Sequence, residues 1–305
     1  MNEIGLSFVK WLQQYRTPAG EDFFFSVTQG GEGVWLLGIL GILFWVFGAR
    51  VAYRAAFSVA LGDLVAGALK NIFCIPRPWL RDPSIVPVKA AQWGAYGYSF
   101  PSGHTANTAL LWGGIGAAFR KWWLWIPILV WIGLVGFSRM YLGVHTPLDV
   151  GTSLVLAIPV VWGMSRLYDW TERHPDRAWV VLAAAVLVAV AAWFFLRWRP
   201  MPEGGHAGTP KDAYRAIAAM LGLFGAWFVE RQYIQFDPKR LGAYRLLAVV
   251  VGVAVLSLMM GNLKKLLAPY LGSDAASYVV AASYPFWIFV VWPFLLKGLE
   301  KPAPR

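Results

Sequence analysis

The chain has 305 residues, of which 58% are hydrophobic and only 14% charged, with a net charge of +11. A soluble domain carries roughly 25% charged residues, so the composition excludes a water-soluble globular enzyme. The positive charge does not point to nucleic acid either. The Lys and Arg residues stand at the ends of apolar segments rather than along a polar face, which suits loop anchoring and attraction to anionic lipid or phosphate.

Residues 4–15 place Ile4, Phe8, Trp11, Leu12 and Tyr15 on one helical face and Lys10, Gln13 and Gln14 on the other. That pattern predicts an interfacial helix within residues 1–17, ended by Thr17-Pro18. No cleavable signal peptide is expected, because Glu3 stands where a basic stretch belongs and no compact apolar core follows. Nine apolar segments come next, at about 33–48, 55–70, 103–119, 122–139, 147–165, 178–197, 213–230, 244–262 and 276–296. Some are shorter than the usual ~20 residues, which implies tilt or partial burial. The segment 55–70 is unusual in holding Asp63 and ending in Lys70. The predicted fold is an all-α polytopic membrane bundle forming a single domain over 1–305, with a core at 55–165 and additional helices over 178–296. Cys74 is the only cysteine, so no intrachain disulfide forms, and without a metal-ligand companion it reads as a packing residue.

Orientation follows from the basic residues. With alternating spans, Arg50, Arg54, Arg120, Lys121, Arg166, Arg173, Arg177, Arg231, Lys239, Arg240, Arg245, Lys297, Lys301 and Arg305 share one side. The bias predicts an outer N-terminus, an inner C-terminus and three polar blocks on the outer face.

The first block is Lys70 with Arg77-Pro78. Seven residues would put the two cations on one helical face, but Pro76 and Pro78 forbid a regular helix. Lys70 is therefore expected at a helix end, with Arg77 on a rigid turn folding back toward it. A guanidinium fork and an ammonium together suit a phosphate dianion. The second block, Pro101-Ser102-Gly103-His104, reads as a helix start with Ser102 as N-cap and free amides that attract phosphate. The third runs from Ser138-Arg139 to His145 and Asp149. Thr146 can cap the next span and Pro147 takes its first position. Asp149 can then turn back to His145, fix its tautomer and leave the other ring nitrogen free to attack. A capping box between Thr146 and Asp149 is the plainer alternative, and both can hold.

Taken in this order, K-x6-R-P, P-S-G-H and S-R-x5-H-x3-D resemble the three signatures of the type-2 phosphatidic acid phosphatase superfamily, matching at every defining position. The resemblance implies a helical bundle with its site at one membrane face and no metal or other cofactor for phosphate release, although vanadate haloperoxidases share the scaffold. It assigns His145 as nucleophile, Asp149 as its orienting carboxylate, and His104 as general acid and then base. Lys70, Arg77, Ser102, Gly103 and Arg139 would hold the phosphoryl oxygens. The implied activity is a phosphatase at a bacterial inner membrane, with its site on the extracytoplasmic face. Its substrate would be a lipid phosphate such as a sphingoid-base phosphate, phosphatidate, a lysolipid or a polyprenyl phosphate. The span count resembles the sphingosine-1-phosphate phosphatase and glucose-6-phosphatase branches. A soluble sugar phosphate, transfer to another acceptor, and a transporter that only binds phosphate are the competing readings.

Outside the motifs, Asp63 is expected to pair with a site cation or with Arg54. His174 and His206 read as loop residues. Trp79, Trp93, Tyr96, Tyr98 and Phe100 read as interfacial anchors, or as the walls of a lipid entrance.

Overall fold

The computed structural model describes residues 3–95, 97–199 and 208–299. Tyr96, His206, Lys301 and Arg305 lie outside the described residues. Among the described residues there are helices and no strands.

Helix α1 (Glu3–Gln13) buries Val9 and Leu12. The Thr17-Pro18 pair was expected only to end the N-terminal helix. It also opens a second one, α2 (Pro18–Gln29), where the Gly20 amide donates to Thr17 Oγ1 at 3.1 Å and Pro18 takes the first position. Helix α2 bends by 48° at Gly30–Glu32 into α3 (Gly33–Phe47), which is apolar on every face. Gly48, at φ +84°, reverses the chain and donates its amide to the Leu43 and Phe44 carbonyls at 3.1 and 3.0 Å. A side chain would strain that turn.

Helix α4 (Ala49–Phe73) runs unbroken past Asp63 and Lys70, so the segment expected at 55–70 is longer at both ends. Left-handed Cys74 closes it with its amide on the Lys70 carbonyl at 3.1 Å. Two short helices follow, α5 (Pro78–Arg81) and α6 (Lys89–Trp93). Then come α7 (Gly103–Phe119), α8 (Trp125–Tyr141) and α9 (Pro147–Arg173). The C-terminal part holds α10 (Ala178–Trp198), α11 (Gly208–Val229) with a π-helical turn at Glu230–Ile234, and α12 (Tyr244–Leu271). Helix α13 (Ser273–Phe286) passes through a second π-helical turn, Trp287–Val291, into α14 (Trp292–Lys297).

Among the described residues, seven stretches are long and apolar enough to cross a membrane, and the bent α2–α3 pair brings the number to eight if it is counted as one span. Helix α7, with 17 residues, completes the nine expected segments. The chain is an integral membrane protein. Helices α4, α7 and α9 pack together, with α8 beside α7, and α11 lies against both α4 and α13.

Close approach explains the α4–α7 contact. Gly114 faces α4 so tightly that a Cβ there would stand 2.6 Å from Ala55 Cα. Small residues let helix backbones meet in this way in lipid. At the end away from the three polar blocks, ionic ties fasten the helices. Arg54 pairs with Asp169 and donates to the Ala117 carbonyl at 3.0 Å, while Arg231 pairs with Glu172. Glu230 accepts from Tyr53 Oη at 3.1 Å and from the Phe236 amide at 3.0 Å.

Gly114→Val should therefore destabilise the protein by roughly 1–3 kcal/mol, the usual range for overpacking. The check is a lowered unfolding midpoint in detergent; an unchanged midpoint would contradict the contact.

Candidate active site

The end of α8 builds the centre of the site. Gly143, at φ +77°, turns the chain so that the Val144 and His145 amides both donate to the Arg139 carbonyl, at 3.1 and 3.2 Å. This places His145 just before α9. Thr146 and Asp149 form a reciprocal capping box, with the Thr146 amide donating to Asp149 Oδ2 at 2.7 Å. The same Oδ2 stands 3.5 Å from His145 Nδ1 and accepts the Ser99 hydroxyl at 2.6 Å. Asp149 thus caps the helix and faces the imidazole at once. Ser99 Oγ also lies 3.4 Å from His145 Nδ1.

With a proton on Nδ1 toward Asp149, the other ring nitrogen accepts. Arg77 Nη1 stands 2.8 Å from His145 Nε2 and 3.1 Å from the Val144 carbonyl. Burial pushes the imidazole well below its ordinary range, and Arg77 pushes the same way against the pull of Asp149. In that tautomer the Nε2 lone pair faces a guanidinium.

One short segment sets the other cations. Arg77 Nε donates to the Gly97 carbonyl at 3.1 Å and Lys70 Nζ to the Tyr98 carbonyl at 2.9 Å. The Ser99 amide donates to the Ile75 carbonyl at 2.8 Å, tying this segment to the turn that carries Arg77. Lys70 sits in the last turn of α4 and Arg77 precedes α5, as the prolines require. Arg139 is buried and donates through Nη1 to Thr28 Oγ1 at 2.7 Å, while its buried Nε has no hydrogen-bond partner among the described residues.

Ser102 takes the N-cap position of α7, but its hydroxyl does not cap. It is fully buried and pairs with Thr105 Oγ1 at 2.9 Å, three residues on. The expected cap is therefore corrected, because a neighbouring hydroxyl competes for the same oxygen. The Ser102 backbone does join the site, its amide donating to the Asp149 carbonyl at 3.1 Å. A Cβ on Gly103 would meet nothing within 4 Å, so the helix start is open on that side. His104 Nε2 lies 3.9 Å from Glu32 Oε1 at the α2–α3 bend. Gly31 makes that approach possible, since a Cβ there would come within 2.7 Å of the His104 carbonyl oxygen. Among the described residues, no group of three or more His, Cys, Asp or Glu is arranged to hold a metal ion.

Comparison with known proteins shows the family to which the chain belongs. The model of the PAP2 superfamily matches residues 51–173, and that of the PAP2 superfamily phosphatase transmembrane extension matches 214–303. The lipid A 4'-phosphatase of Bacteroides thetaiotaomicron is 31% identical over 167 residues, 51% of this chain and 73% of that protein. The chain belongs to the PAP2 superfamily. It is also 25% identical to the dihydrosphingosine 1-phosphate phosphatase of Schizosaccharomyces pombe, over 78% of this chain and 60% of that one. Lipid phosphate phosphatase delta of Arabidopsis thaliana is 22% identical, over 77% of this chain and 58% of its own length. The chain thus spans about three fifths of these two longer relatives. No solved structure matches it.

Several side chains around this candidate site lie outside the three motifs. Ser99, Thr28 and Glu32 reach the motif side chains from distant points of the chain. The only sequence signal for Glu32 is a carboxylate between glycines at the head of an apolar run. Asp63 departs from its expected ion pair: Arg54 pairs with Asp169 instead, and Asp63 faces a cavity. His174 ends α9 stacked on Trp170, with ring centroids 4.9 Å apart, rather than standing free in a loop. Cys74 forms the left-handed cap of α4, and its sulfur accepts from Arg199. Of the connecting aromatics, Trp93 is exposed whereas Tyr98 and Phe100 are buried.

Ser99→Ala should lower kcat about tenfold, the scale of one hydrogen bond to a charged group, with KM little changed. Glu32→Gln should move the alkaline limb of the rate profile to lower pH, because a neutral amide no longer favours the His104 imidazolium. Steady-state kinetics across pH check both, and wild-type profiles would contradict these positioning roles.

Proposed function

We propose that this protein is a phosphomonoesterase that releases phosphate from a lipid phosphate through a phosphohistidine. The observation that carries the reading is the His145 environment: Nδ1 toward Asp149 and Ser99, and Nε2 toward Arg77. Phosphoryl transfer asks little of a protein beyond positioning and neutralisation of the equatorial oxygens. Lys70, Arg77, Arg139 and the amides at Gly103 and His104 supply that.

The steps follow. An incoming phosphate takes the N–H groups of Arg77, which releases the His145 Nε2 lone pair. That lone pair attacks phosphorus while the bond to the leaving oxygen breaks. The His104 imidazolium gives its proton to the departing alkoxide. Neutral His104 then takes a proton from water, the resulting hydroxide attacks the phosphohistidine, and inorganic phosphate leaves with His145 restored. Asp149 and Ser99 hold the tautomer throughout. Lys70 and Arg139 act as fixed counter-charges, and Ser102 contributes its backbone rather than its buried hydroxyl.

A lipid substrate is favoured because the cavity beside His104 has a largely apolar wall. The relatives named for dihydrosphingosine 1-phosphate, lipid phosphate and lipid A phosphate support the same class. The basic residues at the far ends of the spans favour this site on the extracytoplasmic face, and the membrane proposed is a bacterial inner membrane. The motif core and the C-terminal helices act as one domain.

Purified protein in detergent should release phosphate from such lipids in the presence of EDTA, and His145→Ala should lower the rate by roughly three orders of magnitude or more. Wild-type rates in the variant, or complete loss with EDTA, would overturn the mechanism. The acidic limb of kcat/KM should lie below about pH 6.5, the ordinary histidine value. Burial and Arg77 lower the proton affinity of His145, so protonation disables the nucleophile only at more acid pH. A limb above that value would contradict the neutral nucleophile.

A further inference from the structure

A cavity of about 620 Å³ opens beside Lys70, Gly103 and His104 and runs into the membrane part of the protein. Its volume falls within the roughly 300–1,000 Å³ typical of ligand pockets. Leu40 of α3, Val59 of α4, Ala219 and Leu223 of α11 and Phe289 make its wall largely apolar. The charged groups on that wall are Glu32, Asp63, Lys70, Asp212 and Arg215. Four of the five have a partner in the protein. Lys70 is held by the Tyr98 carbonyl, Glu32 by His104, and Asp212 and Arg215 by each other at 2.8 Å. Asp63 makes no hydrogen bond or ion pair with any described residue. It sits two turns, about 10 Å, below Lys70 on the same face of α4.

An unpaired carboxylate facing an apolar chamber at membrane depth is costly. It calls for a ligand that supplies the missing donor. The leaving alcohol meets His104, and its chain then enters the cavity past Asp63. We propose that this chamber holds the alkyl chain of the substrate, and that Asp63 selects a long-chain amino-alcohol phosphate by accepting from its ammonium or hydroxyl group. The second half of the chain thereby gains a task, since α11 and the π-helical turn after α13 form much of the wall. The inference rests on the phosphatase reading and specifies its substrate class.

Three substrates of equal chain length test it: 2-amino-3-hydroxyoctadecyl phosphate, its N-acetyl derivative and octadecyl phosphate. The wild-type protein should prefer the first over the third, chiefly through KM. In Asp63→Ala that preference should fall about tenfold or more, the scale of a charge-assisted hydrogen bond, and in Asp63→Asn by less. The N-acetyl derivative separates the two donors: it retains the preference if the hydroxyl is read and loses it if the ammonium is read. A purely structural role would depress all three substrates equally and leave their ratios unchanged, and that result overturns the inference while the phosphatase reading stands. No release from any of the three by wild-type protein overturns both. Should the Asp63 variants fail to fold, Ala219→Phe keeps the test open. By narrowing the chamber it should lower kcat/KM for octadecyl relative to octyl phosphate about tenfold, and an unchanged chain-length preference would refute the chamber.

Discussion

Lys70, Arg77 and Arg139 are brought together where water is scarce, and Asp149 is the one buried carboxylate among them. Taking such charges out of water costs several kcal/mol each after relaxation. Backbone carbonyls at Gly97, Tyr98 and Val144 and the Thr28 hydroxyl hold the cations. Dipoles orient a charge without cancelling it. The site therefore keeps a positive excess that a phosphate dianion would neutralise. Most of what surrounds it can be understood as scaffolding for that excess.

The segment Gly97–Ser99 is the mainstay of that scaffolding. It gives one carbonyl to Arg77, the next to Lys70 and a hydroxyl to Asp149, while its own Ser99 amide is tied to Ile75. A shift here would misplace three functional groups together. The N-terminal helices close the site from the other side. Arg16 reaches the Tyr141 and Val86 carbonyls, Thr28 meets Arg139, and Glu32 meets His104. Opposite the site, Arg231–Glu172 and Glu230 with Tyr53 join the core to the C-terminal helices, and Arg54–Asp169 ties α4 to α9. The chamber between these two halves depends on that joint.

The placements of Arg77, His145 and Asp149 were legible because their geometry is local: Arg77 follows from prolines that stop a helix, and His145 and Asp149 from one capped helix start. Span positions were legible because apolar length alone defines them. Ser99, Thr28 and Glu32 were not, because the contacts that make them matter close loops of 46 to 111 residues, and no spacing rule reaches so far. Helix α2 escaped because its apolar run is short and its start signal, Thr17-Pro18, also reads as an end. Ser102 misled because a cap position does not say which acceptor or donor its hydroxyl finds, and Thr105 was nearer. Asp63 was expected to find a cation because an unpaired acid in a span is unusual; the cavity that leaves it unpaired arises only when α11 and the helices after it fold against α4.

The central claim is that His145 carries the phosphoryl group. Acid-free rapid quenching of the enzyme during turnover of a lipid phosphate, followed by peptide mass spectrometry, tests it most directly. The account predicts phosphate on the peptide holding His145, with its position on the imidazole. Phosphate on His104 instead, or continued turnover with neither histidine ever modified, would contradict it.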